Sequence, residues 1–205
     1  MEVFSTIKAI KVVPVVVFND VSETIPTLQA MLDGGLPVAE ICYRTQCAPE
    51  SLKLAVKDFG DKFLIGAGTV INAAQAEEAI SYGAKFIVSP GLSEGVAGVC
   101  KKHRVPYLPG VATPTEIMLA LELGIDHVKF FPASVYGGLK AISAIGAAFP
   151  QVSFLPTGGV GPENLAEFLS NKKIFACGGS WMMKGTPEDI KNKCREAMDI
   201  VKGVK

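Results

Sequence analysis

Histidine, arginine and tryptophan are scarce in this chain of 205 residues: His103 and His127, Arg44, Arg104 and Arg195, and Trp181 are all there is of them. With two histidines and no Cys-x-x-Cys spacing among Cys42, Cys47, Cys100, Cys177 and Cys194, little is left from which to build a zinc site, so no metal and no cofactor are expected. An odd number of unpaired cysteines reads as free thiols in a reducing cytoplasm. Cys42 and Cys177 stand inside apolar runs and read as small core residues. Net charge is missing too, because 20 lysines plus arginines balance 20 aspartates plus glutamates. A nucleic-acid binder usually carries a basic excess, so nucleic acid is not an expected partner, although a local basic pocket remains open. The apolar runs reach only about five to eight residues, far short of the roughly 20 that span a bilayer, which excludes a membrane partner of that kind. Residues Met1 to Lys11 lack the apolar stretch and cleavage site of a secretory signal. What is present is a 49% hydrophobic, 20% charged composition, too apolar for a disordered chain and of a length that suits one domain over residues 1–205.

The apolar runs recur with one rhythm. Val12–Phe18, Val38–Tyr43, Phe63–Val70, Phe86–Pro90, Tyr107–Val111, His127–Pro132, Ser153–Thr157 and Ile174–Gly178 open about every 20 to 26 residues, the length of one strand plus one helix. Most lack apolar–polar alternation, as parallel strands covered on both faces do. Helix signals fill the gaps. Thr113-Pro114-Thr115-Glu116 reads as a capped start closed by Gly124, Ser93 starts a segment that ends near Arg104, and Thr186-Pro187-Glu188-Asp189 opens the last helix. Gly34-Gly35 and Gly83 end the helices after the first and third strands, and Met1–Ile10 adds a short leading helix. Eight strand–helix units in series predict a (β/α)8 TIM barrel with a short N-terminal helix. The competing architecture, a doubly wound open sheet, calls for a Gly-x-Gly-x-x-Gly turn after the first strand, where Phe18-Asn19-Asp20 stands instead.

In a barrel the active site gathers at the C-terminal ends of the strands. Lys129 lies within the apolar sixth run; the alternative is a solvent-facing lysine at a strand end. Desolvation favours the neutral form of an amine, and a neutral amine attacks carbonyls to form a Schiff base. Glu40, inside the second run, reads as a general acid/base or as the partner of a purely structural ion pair. Arg44 follows that strand and offers a planar fork for a carboxylate or phosphate, unless it makes only a surface ion pair. Thr157-Gly158-Gly159 and Gly178-Gly179-Ser180 end the last two strands, where glycines let backbone N–H groups approach an anion. Gly66-Ala67-Gly68-Thr69 gives small residues that let a substrate near the third strand, or simply a tight turn. Ser89-Pro90 and Pro109-Gly110 fit turn chemistry equally well. His103 and His127 are not expected in catalysis.

Together the motifs Glu40 to Thr45, Gly66 to Val70, Val88 to Gly91, Lys129 to Pro132, Pro156 to Val160 and Gly178 to Trp181 resemble the 2-keto-3-deoxy-6-phosphogluconate (KDPG) / 4-hydroxy-2-oxoglutarate (KHG) aldolases over roughly residues 10 to 185. The resemblance implies a metal-free class I aldolase, a homotrimer, that cleaves 2-dehydro-3-deoxy-6-phosphogluconate to pyruvate and glyceraldehyde 3-phosphate. Carried over, Lys129 is the Schiff-base lysine and Glu40 the acid/base. Arg44 and Thr69 bind the pyruvate carboxylate, Pro90 joins the substrate-binding set, and Thr157, Gly158, Gly159, Gly179 and Ser180 form the phosphate end. Cys42-Tyr43 departs from what many members carry and bears on pocket shape. Two other readings stand beside this one. A phosphosugar isomerase or epimerase of the metal-dependent kind needs histidines and acids at strand ends, where only Glu40 qualifies. A non-catalytic phosphometabolite-binding barrel would not need a buried lysine.

Overall fold

The computed structural model describes residues 2–204; Met1, part of the expected leading helix, and Lys205 lie outside the described residues. Nine helices, α1 (Glu2–Ile10), α2 (Thr24–Asp33), α3 (Ala48–Phe59), α4 (Ala73–Ser81), α5 (Glu94–His103), α6 (Pro114–Glu122), α7 (Gly138–Ala148), α8 (Leu165–Ser170) and α9 (Pro187–Gly203), alternate among the described residues with short strands. The strands are β1 (Val12–Val16), β2 (Val38–Cys42), β3 (Leu64–Gly68), β4 (Ile87–Val88), β5 (Tyr107–Leu108), β6 (Gly110–Val111), β7 (His127–Phe130), β8 (Ser153–Pro156) and β9 (Cys177–Gly179). Every residue of β1 and β2 is buried, which is why these runs show no alternation.

All pairings are parallel. One sheet runs β5-β4-β3-β2-β1-β9 and a second β6-β7-β8. Neighbours follow chain order except at β1, which pairs on its other side with the last strand, β9, so the end of the chain's strand series returns to its beginning. The expected fifth run is divided at Pro109, which has no N–H to give a ladder. Its carbonyl still accepts from the Lys129 N–H at 2.9 Å, so the backbone continues from one sheet into the other. At the far side two isolated bridges, Phe154↔Ile174 and Thr157↔Gly178, link the β8 segment to the β9 segment. The result is a curled parallel α/β sheet flanked by helices, with α2 against α3 and α9, α4 against α5, and α8 against α9.

The strands are shorter than the apolar runs. Val17 is exposed and Phe18, though buried, turns its carbonyl out of the ladder to accept from the Thr45 hydroxyl at 2.7 Å. The last strand begins at Cys177 rather than Ile174, which makes only the single bridge. Phe86, Phe130, Phe154 and Leu28 are among the fully buried side chains, each contributing about 1.5–3 kcal/mol by removal from water. Below the strands, Phe4 of α1 stacks on His127 at 4.5 Å between ring centroids, and Phe175 meets the same ring edge-on at 5.0 Å. His127 also pairs with its neighbour Asp126 at 2.6 Å, and through the Phe4 stack it anchors the leading helix at the end of β7 opposite Phe130. No helix among the described residues is long and apolar enough to cross a membrane.

Candidate active site

Glu40 lies on β2, in register with Val15 of β1 and Gly66 of β3; Lys129 lies on β7, in register with Gly110 and Leu155. β2 and β7 share no ladder, yet Lys129 Nζ donates to Glu40 Oε1 at 3.2 Å, across the space the curled sheet encloses. The side chains are 3% and 0% exposed. An amine and a carboxylate buried this deep need each other's hydrogen bond, and loss of one partner strands the other. Glu40 Oε2 has no hydrogen-bond partner. The lysine nitrogen also stands 5.2 Å from the centroid of the Phe131 ring.

The glycines of Gly66-Ala67-Gly68-Thr69 serve the protein's own side chains. A Cβ on Gly66 would collide with the Phe86 ring, and one on Gly68 with Oε1 and Cγ of Glu40. This clearance stands beside the two roles the sequence suggested, access for a substrate or a tight turn. Thr69 follows with φ 54°, a left-handed conformation unusual for a β-branched residue, and its hydroxyl accepts from Arg44 Nε at 2.9 Å. In sequence Cys42 reads as a small core residue and, with Tyr43, as a departure that bears on pocket shape. It sits two positions along β2 from Glu40 and therefore on the same face, with Sγ 3.7 Å from Glu40 Oε1. Burial first, and then the negative charge of Glu40, push its thiol up to about 12.

A cavity of about 260 Å³ opens beside this cluster, lined by Arg44, Thr157, Gly158, Gly159, Gly179 and Ser180, with Phe131 in its wall. Gly158 and Gly159 hold φ of 94° and 80°, which a side chain would strain. Gly178 makes room for the Thr157 hydroxyl, which is buried without a partner. Ser180 is exposed at the rim. Pro90 lies exposed beyond β4 and, like Lys129, Glu40 and Thr69, outside the cavity lining; its carbonyl abuts the place where a Cβ would stand on Gly110, the register partner of Lys129. Larger hollows of about 430 and 530 Å³ lie between the β1–α2 connection and α9 and on the α5–α6 flank; neither is lined by Arg44 or the strand-end glycines, and Lys129 and Glu40 line none of the three. Among the described residues, no three His, Cys, Asp or Glu side chains gather where one ion could bind. The site thus joins a buried amine and carboxylate to an Arg–Thr pair and a cradle of glycines suited to an anion.

A family profile, KDPG and KHG aldolase, matches residues 3–196. Over 181 residues the chain is 41% identical to the 2-dehydro-3-deoxy-phosphogluconate aldolase of Treponema pallidum, covering 88% of this chain and 86% of the relative. Its fold matches the crystal structure of the 2-keto-3-deoxy-6-phosphogluconate aldolase of Zymomonas mobilis ZM4 with 3-phosphoglycerate: TM-score 0.92, 37% identity, 97% and 96% of the two chains. It also matches the KDPG aldolase of Legionella pneumophila, crystallised with pyruvate as a covalent carbinolamine: TM-score 0.88, 35% identity, 100% and 98% coverage.

Proposed function

Because the chain belongs to the KDPG and KHG aldolase family, we propose that it cleaves 2-dehydro-3-deoxy-6-phosphogluconate to pyruvate and glyceraldehyde 3-phosphate through a Schiff base on Lys129, with 4-hydroxy-2-oxoglutarate as a second substrate. The observation that carries this reading is the 3.2 Å contact between the buried Lys129 amine and Glu40. Lys129 Nζ adds to the C2 keto group, and loss of water from the carbinolamine gives an iminium. Glu40 takes the proton of the C4 hydroxyl, the C3–C4 bond breaks, and its electron pair moves into the iminium to leave an enamine. The aldehyde departs, C3 of the enamine is protonated, and water releases pyruvate and the free amine. Arg44 and Thr69 hold the carboxylate of the pyruvate half. Thr157 and the backbone of Gly158, Gly159, Gly179 and Ser180 hold the phosphate. The pyruvate carbinolamine of the Legionella relative supports the covalent step.

Pyruvate with borohydride tests this directly. Intact mass should rise by one reduced pyruvyl group, and peptide mapping should put it on Lys129. A label on another lysine would overturn the assignment.

We also infer that the two sheets form one closed (β/α)8 barrel, supported by the continuity across Pro109 and the bridges from β8 to β9. Exposed Val135 and Tyr136, with Met118 on α6, support burial in a homotrimer; a monomer in sedimentation equilibrium would reject it. The cytoplasm is the proposed location, in keeping with five free cysteines, four of them buried.

A further inference from the structure

Glu40 has two carboxylate oxygens, and the protein treats them differently. Oε1 receives Lys129 Nζ at 3.2 Å and the Cys42 thiol at 3.7 Å, while Oε2 is buried without a partner. The Cys42 S–H has a second acceptor within reach, the Glu40 carbonyl at 3.8 Å, but a charged oxygen is the stronger acceptor. The Thr69 hydroxyl lies beside the same sulfur and takes a hydrogen bond from Arg44, so Cys42 links Glu40 to the Arg44–Thr69 pair. Gly68 confines the carboxylate from the β3 side, because any side chain there would overlap Oε1. The charged groups facing the carboxylate are therefore Lys129 from β7 and, through Thr69, Arg44 from the end of β2.

We propose that Cys42 is a positioning residue: its S–H, with Lys129, fixes Oε1 of Glu40 and leaves Oε2 as the oxygen that exchanges protons with the substrate. This rests on the reading of Glu40 as the acid/base. A thiol suits the task because it is a weak donor. A hydroxyl at the same place would stabilise the ionised carboxylate more strongly and make it a poorer base, and an alkyl group would not steady it at all. The thiol stays protonated at any working pH, since burial and the Glu40 charge push it up to about 12.

The test compares Cys42→Ser and Cys42→Ala on the full chain, following kcat and KM for the phosphorylated substrate against pH. The acid limb of the kcat profile should move to lower pH in Cys42→Ser and to higher pH in Cys42→Ala, by about half a unit or more in each direction. kcat should fall at least about threefold in Cys42→Ala, with KM nearly constant. An acid limb unmoved in both variants would reduce Cys42 to a space-filling residue and overturn the proposal. A second readout needs no active variant. In the unsubstituted protein, the S–H stretching band assigned by its loss in Cys42→Ala should lie at the hydrogen-bonded, low-frequency end and move up in Glu40→Gln. A band at the free-thiol position also overturns the proposal. Glu40→Gln separates the two levels. If it retains full turnover, the acid/base reading itself fails; if it loses turnover while the Cys42 variants leave the profile in place, only the role of Cys42 fails.

Discussion

At Gly68 the missing side chain matters as much as any that is present. The backbone there could carry alanine, for its φ is not in the left-handed region, but the added methyl would stand where Glu40 has Oε1 and Cγ. Gly68→Ala should therefore fold and yet push the carboxylate away from Lys129. Since about 1 Å of misplacement can cost as much as 10²-fold, kcat should drop by roughly 10- to 100-fold while KM changes little. Steady-state kinetics beside a circular-dichroism melt would check this, and an unchanged kcat would mean that Glu40 yields without loss of function. Sequence reasoning singled out Lys129, Glu40, Arg44 and the paired glycines because each is a residue type out of keeping with its surroundings. It could not find the clearance at Gly68 or the thiol contact of Cys42. Those depend on the β2–β3 register, Glu40↔Gly66 and Cys42↔Gly68, and residues far apart in the chain acquire a register only when the sheet forms.

Helix ends are local, and there the sequence was legible almost to the residue. Thr113 accepts from the Glu116 N–H, and Glu116 accepts in return from the Ala112 and Thr113 N–H groups and the Thr113 hydroxyl, a reciprocal cap on α6. Asp189 and Thr186 repeat the device on α9. Desolvation tends to raise the Glu116 pKa, but the donors from Ala112 and Thr113 outweigh it and hold the carboxyl below its ordinary 4.5. A carboxylate depressed on folding adds stability above its unfolded pKa, and that stability is lost as pH falls through the folded value. Glu116→Gln should therefore melt lower than the parent at pH 7, by an amount corresponding to about 1 kcal/mol, and the gap should narrow as pH falls below 4.5. Thermal melts at pH 7 and below 4 would decide it; a gap of constant size would show that the charge plays no part. Strand ends were less legible. Proline, absence of a ladder partner and the curl of the sheet trim Phe86–Pro90 to Ile87–Val88 and divide the fifth run at Pro109, and hydrophobicity records none of these.

Across the whole molecule, function and anchorage occupy opposite ends of the strands. The Phe4–His127–Phe175 cluster holds α1 beneath them, while Lys129, Arg44 and the glycine cradle face the other way. The eightfold rhythm of apolar runs foretold the parallel sheet, because that arrangement needs only short buried strands with helices between. It could not foretell how evenly the sheet is joined. β2 and β3 are paired along their whole lengths, whereas the β8 and β9 segments meet through two isolated bridges. The cavity lies over that same joint, with Thr157 to Gly159 on one side and Gly179 and Ser180 on the other. An anion gripped from both sides would thus act as a clasp on a joint that isolated bridges alone hold, and the substrate itself would become part of what resists its opening. In hydrogen–deuterium exchange, the Phe154 and Phe175 amides, which carry the bonds of the joint to Lys173 and Phe154 carbonyls, should exchange faster than those of β2 and β3 in the free protein. Saturating inorganic phosphate should slow them although they lie at the end of the strands away from the cavity, and equal rates with and without phosphate would mean that the closure holds without help from the ligand.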